Sequence, residues 1–236
     1  MARHRHRGPP GVLEENASLA LLTRVATAGA GPRDMDGAAE LCAELGHLPL
    51  AVEQAAAYLA QAPLLTPRDY LALLARYPAD LFGAGGVPGA NSERTVARAW
   101  NLTLDRIRQT QPLATDLLRL LAWYAPDRIP VGLLGGVPGT PEVTGALGLL
   151  TAYSMVTADP GTGTFAVHRL VQALTRTADP RDPHRTPDLV ERARRAAAAH
   201  LQAGAARHVA GPRHLARLAG SDGAHRRLHR PLAPRD

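Results

Sequence analysis

Lysine is absent from these 236 residues, so all 27 basic side chains are arginine. A phosphate-binding loop of the G-x-x-x-x-G-K-[ST] type needs lysine as a point charge on the terminal phosphates, and the planar guanidinium is a poor geometric substitute. The chain is therefore not expected to hydrolyse nucleotides by itself. Cysteine occurs once, as Cys42, which excludes an internal disulfide. The longest apolar runs, "LLRLLAW" and "ALGLLTAY", fall well short of the roughly 20 residues that cross a bilayer. No basic stretch leads into an apolar one near residue 1, as a secretory signal would require. The expected location is the cytoplasm, with no membrane partner. A G-x-S-x-G elbow and a paired set of acids are also missing, so catalytic residues are not expected. His4, His6, His225 and His229 lie in terminal tracts without acid or cysteine partners, and metal binding is not expected.

Hydrophobic residues make up 45% of the chain and charged residues 20%, which supports a packed core. The net charge of +6 belongs to the ends. Three arginines stand in residues 1–7, and seven more in residues 207–236 face only Asp222 and Asp236, which leaves the body between slightly acidic. A basic groove on a folded domain is not what the total charge reports.

The body reads as helices. In "LEENASLALLTRVAT", Leu13, Ala17, Leu21, Leu22 and Val25 are spaced as one helical face, and "AGAGPRD" ends it. A second helix is expected over Met35–Leu45. Gly46 suits its C-terminal end, and Pro49 suits the first turn of the next helix, where a missing N–H costs nothing. Thr66 and Pro67 open a fourth, with Tyr70, Leu71, Leu74 and Tyr77 on its apolar face. "LFGAGGVPGANSE" reads as a linker. From Ser92, Val96, Trp100, Leu104 and Ile107 mark a core helix, and Leu117, Leu118, Leu120 and Leu121 mark another. A short helix is expected from Pro130, then one over "PEVTGALGLLTAYSM". Met155 and Val156, a Pro-Gly turn, and Phe165 with Val167 make a hairpin pattern. That order, three helices, a two-stranded wing and a helix, is the winged-helix arrangement. "ADPRDPHRTPD" reads as a joint before a last, alanine-rich helix, and the Arg/His-rich end reads as disordered.

Several of these segments, taken in order, resemble the C-terminal portion of bacterial NB-ARC proteins of the STAND signalling-ATPase class, in particular the actinobacterial type with tetratricopeptide repeats. They are "LCAELGHLPLAVEQAAAYL", "TVARAWNLTLDRIR", "LLRLLAWYAPDRIPVGLL", "LLTAYSMV" and "FAVHRLVQALTR". The resemblance covers roughly residues 13–178 and implies a mainly α fold, with a helical domain (13–82) and a winged-helix domain with a two-stranded hairpin (92–178); by composition a disordered head (1–12) precedes them and a helix with a disordered basic tail (179–236) follows. It matches Gly46, Leu48, Pro49, Leu50 and Ala51 to the family's "GLPLA" motif, whose proline packs near the adenine and ribose. It matches His168 to the histidine that approaches the β-phosphate of bound ADP and helps to hold the closed state. The better-known form of that second motif has Met before the histidine and Asp after it, where this chain has Val167 and Arg169.

By their residues alone, Gly46 and Pro49 are equally a helix end and a helix start, and His168 is equally a helix cap or a satisfied core histidine. The resemblance implies a regulatory, non-enzymatic part of a signalling ATPase. It would take ADP or ATP only when completed by a P-loop domain supplied as partner, and it looks like a truncated gene product. A standalone winged-helix DNA-binding transcriptional regulator is the alternative, and a truncated gene product without function is the second. Specific nucleic-acid binding is not expected, because the helix that would enter the major groove carries no arginine and the wing carries an acid.

Overall fold

The computed structural model of the protein describes residues 11–28, 31–76, 90–134 and 140–209. Residues 1–10 of the expected head, Tyr77, residues 81–89 of the expected linker and the tail from residue 210 lie outside the described residues.

Four helices come first: α1 (Glu15–Ala26), α2 (Ala38–Glu44), α3 (Pro49–Ala60) and α4 (Pro67–Leu74). Leu13 precedes α1, and the helix buries Leu22 of the expected face together with Ser18 and Ala26, while Ala17 is exposed and Leu21 and Val25 are half-buried. The burial of a serine, which scores as polar in any periodicity, explains the difference. The second helix starts three residues later than Met35 because Gly37 sits in the left-handed region at φ +81. A Cβ there would lie 2.8 Å from the backbone nitrogen of Arg68, so the close approach of α4 also demands glycine. Thr66 and Asp69 close a capping box on α4.

α3 is apolar on almost every side, burying Ala51, Val52, Ala55, Ala56, Ala57, Tyr58 and Leu59, and it packs against α1 and α5. The glycine-rich break after α1 contains Arg33, whose fork donates to Ala26 O (3.3 Å) at the end of α1 and to Leu59 O (2.6 Å), Ala62 O (3.2 Å) and Leu65 O at the end of α3. A single guanidinium thus meets carbonyls at the C-terminal end of α1 and in and just beyond the last turn of α3, toward the negative ends of both helices.

α5 (Ala90–Thr110) begins two residues before Ser92 and buries Val96, Trp100, Leu104 and Ile107 as its periodicity requires. α6 (Pro112–Leu121) follows, then α7 (Pro141–Ala152), β2 (Thr157–Asp159), β3 (Thr164–Ala166), α8 (Arg169–Arg176) and α9 (Pro187–Val209). The expected helix from Pro130 is instead a strand, β1 (Ile129–Pro130), followed by a 3₁₀ turn over Val131–Leu134. β1 pairs antiparallel with β3 (Ile129↔Phe165), and β2 pairs with β3 (Thr157↔Ala166). The wing therefore has three strands in the order β1-β3-β2 rather than two. Proline is tolerated in β1 because the strand is short and lies at the sheet edge. At the hairpin tip Asp159 accepts from the N–H of Gly161 (3.0 Å) and the hydroxyl of Thr162 (2.8 Å). The wing's acid thus builds its own turn.

The fold is mainly α with a small antiparallel sheet, as the sequence implies. The buried core is continuous from Leu22 to Ala197. Tyr58 of α3 stacks edge-on with Tyr70 and with Tyr153, and Gln54 lies 3.9 Å from the sulfur of Met155.

Candidate functional site

The first candidate turn joins α2 to α3. Gly46 (φ +61) and His47 (φ +51) are both left-handed, and the His47 N–H donates to Cys42 O (2.9 Å), which ends α2. Leu48 is extended, Pro49 occupies the first turn, and no side chain caps α3. The N–H of Leu13 donates to His47 O (2.9 Å), which ties the entry segment to the turn. Pro49 and Gly46 are exposed and Leu48 half-buried. The result is an apolar proline edge beside an uncapped helix start, where the dipole and free amides favour an anion.

The second candidate turn leads from β3 into α8. Val167 is buried and donates to Pro126 O (2.7 Å), while His168 is exposed and caps α8 through Nδ1, which accepts from the N–H of Leu170 (3.1 Å). An Nδ1 that accepts must carry no hydrogen, so the neutral ring holds its proton on Nε2. That nitrogen is the one available to a ligand as a donor. Of the two roles His168 could have by its residue type, the cap is therefore real, and core burial is not. Arg169 stands exposed beside it.

α8 is anchored firmly. Arg176 donates to Ala122 O (2.5 Å) and Tyr124 O (3.1 Å) at the end of α6, Gln172 donates to Tyr124 O (3.2 Å), and the Arg176 guanidinium lies 5.5 Å from the Trp123 ring centre. The two candidate turns share a frame. Met155, touched by Gln54 of α3, stands two residues before Thr157, and His168 stands two residues after Ala166, the partner of Thr157 in the sheet. The helix that starts at Pro49 is thus braced against the base of the hairpin that delivers His168.

The joint after α8 holds polar residues that the sequence did not single out. Arg185 donates from Nε to Asp182 Oδ2 (2.7 Å), from Nη2 to Asp179 Oδ2 (3.3 Å) and from Nη1 to Thr177 O (3.2 Å). Asn101 of α5 donates to Asp182 Oδ2 (3.1 Å), and His184 Nε2 meets Asp105 Oδ1 of α5 (2.9 Å). Burial holds the His184 imidazole below its ordinary range, with Asp105 opposing. A faint signal existed: Asn101 and Asp105 sit next to Trp100 and Leu104, on the border of the apolar stripe. Among the described residues, no group of three or more His, Cys, Asp or Glu is placed to hold a metal ion, and no helix is long and apolar enough to cross a membrane.

Comparison with known proteins agrees in kind with the motifs. Over 152 residues, 60% of this chain, the sequence is 31% identical to a nucleotide-binding leucine-rich repeat (NLR)-like protein of Hyaloscypha variabilis (strain UAMH 11265 / GT02V1 / F). The chain spans about 15% of the length of that relative. No family model and no solved structure matches the chain.

Proposed function

We propose that the chain is a regulatory, non-catalytic part of an NB-ARC-type signal-transduction ATPase of the tetratricopeptide-repeat-associated type, corresponding to its helical and winged-helix domains. It closes over a P-loop domain carried by another polypeptide or another segment and helps to retain ADP there. Gly46, Leu48 and Pro49 present the apolar edge to the base and sugar, and His168 donates from Nε2 to a phosphate oxygen. The observation that carries this reading is the state of His168: exposed, on an anchored helix, with Nδ1 used by the cap and Nε2 left as a donor. The relation to a protein described as nucleotide-binding supports it. The neutral ring suffices for this contact, because a proton on Nδ1 would break the cap.

Alone, the chain is expected to turn over no ATP and to hold neither ADP nor ATP tightly, since it has no lysine to set on the terminal phosphates. The test is to titrate the chain onto a purified NB-ARC P-loop domain loaded with ADP or with a non-hydrolysable ATP analogue and to follow association by calorimetry. Tighter binding to the ADP-loaded form is the expected result. Equal affinity for both forms, or no binding to either while the chain shifts a DNA duplex selectively at physiological salt, would overturn the reading.

A further inference from the structure

Among the described residues, the only Asp, Glu, His or Arg residues that are buried are Asp182, His184 and Arg185, all in the joint between α8 and α9. Buried charge is rare and expensive unless paired, so a loop that concentrates it has a specific task. The helix that the loop leads into has little apolar hold of its own. α9 packs on α6 and on the 3₁₀ turn, yet among its described side chains only Val190 and Ala197 are buried, and Leu201 is 46% exposed. The polar contacts with α5 therefore carry much of its attachment.

Within those contacts His184 is the sensitive member. Its Nε2 is matched to Asp105, its ring meets Trp100 edge-on with centres 6.5 Å apart, and its Nδ1 is buried with no hydrogen-bond partner. We propose that residues 179–185 form a proton-operated latch, closed while His184 is neutral and fixing α9 to the body, and opened by a second proton on Nδ1, which frees α9. The neutral ring donates from Nε2 and leaves Nδ1 as an unmet acceptor, a modest cost in a dry site. A proton taken from solvent onto Nδ1 creates a cation with a donor that has no acceptor. The surrounding acids are already engaged. Asp182 accepts from Arg185, from Asn101 and from the His184 backbone N–H, and Asp105 of α5 faces Arg108 (3.7 Å) as well as His184. Asp179 is held by Arg185 (3.3 Å). On α6, Asp116 pairs with Arg119 (3.2 Å), and Arg119 in turn faces Arg108 and Arg192 of α9. The added charge is relieved when the loop leaves its site and His184 reaches water. This device is independent of any nucleotide, so its failure would leave the proposed function standing.

The test is hydrogen exchange of the full chain, followed by mass spectrometry at about pH 8 and about pH 5.5 with correction for intrinsic rates. Peptides of α9 over residues 187–203 are expected to lose protection by about tenfold or more at the lower pH, while those of α1 and α3 keep theirs. In His184→Gln, whose amide still donates to Asp105 but gains no proton, α9 is expected to exchange alike at both values. Nuclear magnetic resonance of wild-type His184 supplies a readout that needs no variant: its titration should coincide with α9 release. Protection of α9 that does not change with pH, a change that persists in His184→Gln, loss of α3 protection in step with α9, or a His184 titration apart from α9 release would each overturn the latch.

Discussion

At position 168 one imidazole serves two partners through its two nitrogens, and substitutions can separate them. Alanine removes both, so His168→Ala should lower stability to urea by about 1 kcal/mol, the usual worth of a lost cap. Asparagine is a strong cap but too short to reach beyond the turn. His168→Asn should therefore unfold at the wild-type midpoint. A loss in the asparagine variant equal to that in alanine would mean that Nδ1 does not cap α8. Gly37 is the other residue whose identity is dictated locally: its φ of +81 and the 2.8 Å approach of Arg68 N both oppose a side chain. Gly37→Ala should cost about 1–3 kcal/mol by denaturant unfolding. Residues of this kind split cleanly by legibility. Gly46, Pro49, Thr66 and the tip of the wing were readable because their roles are settled within four residues of chain. The helix start displaced by Gly37 was not, since its cause is a contact with α4. His184 stayed hidden for the same reason: its partner Asp105 lies on α5, and a histidine between two prolines carries no local mark.

The secondary-structure elements are joined by arginine forks as much as by apolar surface. Arg33 binds the ends of α1 and α3, Arg98 takes Leu74 O (3.1 Å) at the end of α4 while pairing with Glu44 (2.8 Å), and Arg176 takes the end of α6. Each exploits a planar, branched set of donors that a single ammonium cannot reproduce. Arg33→Lys should therefore lower stability by about 1–3 kcal/mol in thermal or urea unfolding, despite unchanged charge. Wild-type stability in that variant would contradict the bridging role. Helices were legible because 3.6-residue periodicity needs no partner to be seen. β1 was not, because two residues, Ile129 and Pro130, are too few to show alternation, and proline there argues for a helix start. The strand exists because β3 offers it an edge, which is tertiary information.

On the scale of the whole molecule, stability should respond to acid in two stages of opposite burial. His184 is held below its ordinary imidazole range, so the unfolded chain binds a proton that the folded chain resists. Its contribution is complete above an ordinary histidine's range near 6.5 and is lost as pH falls below it. Asp36, Asp69, Asp159 and Glu191 are held below the carboxylate range by Arg68, by the backbone N–H of Thr66, by Thr162 and by Arg194 respectively, with Glu191 at about 2. Their contributions persist above the carboxylate range and fade only as pH falls through it, and since the three aspartates are exposed and Glu191 is only half-buried, that stage should be shallow. Urea midpoints should fall first between about pH 7 and 5, and His184→Gln should flatten that step alone.

The general shape of the chain, helices leading to a small wing, could be read from the sequence because pattern repeats within each element. The pairing of the Pro49 turn with the His168 hairpin could not be read that way, since it runs through Gln54, Tyr58, Tyr153 and Met155, which lie about a hundred residues apart in two pairs that no local pattern links. That shared frame is what the proposed ADP clasp requires. The most direct measurement is the rate at which a fluorescent ADP leaves an NB-ARC P-loop domain joined to this chain, compared between wild type and His168→Asn. The account predicts release faster by about tenfold or more in the variant, the worth of one hydrogen bond to a charged group, with α8 still folded. Equal rates would contradict it.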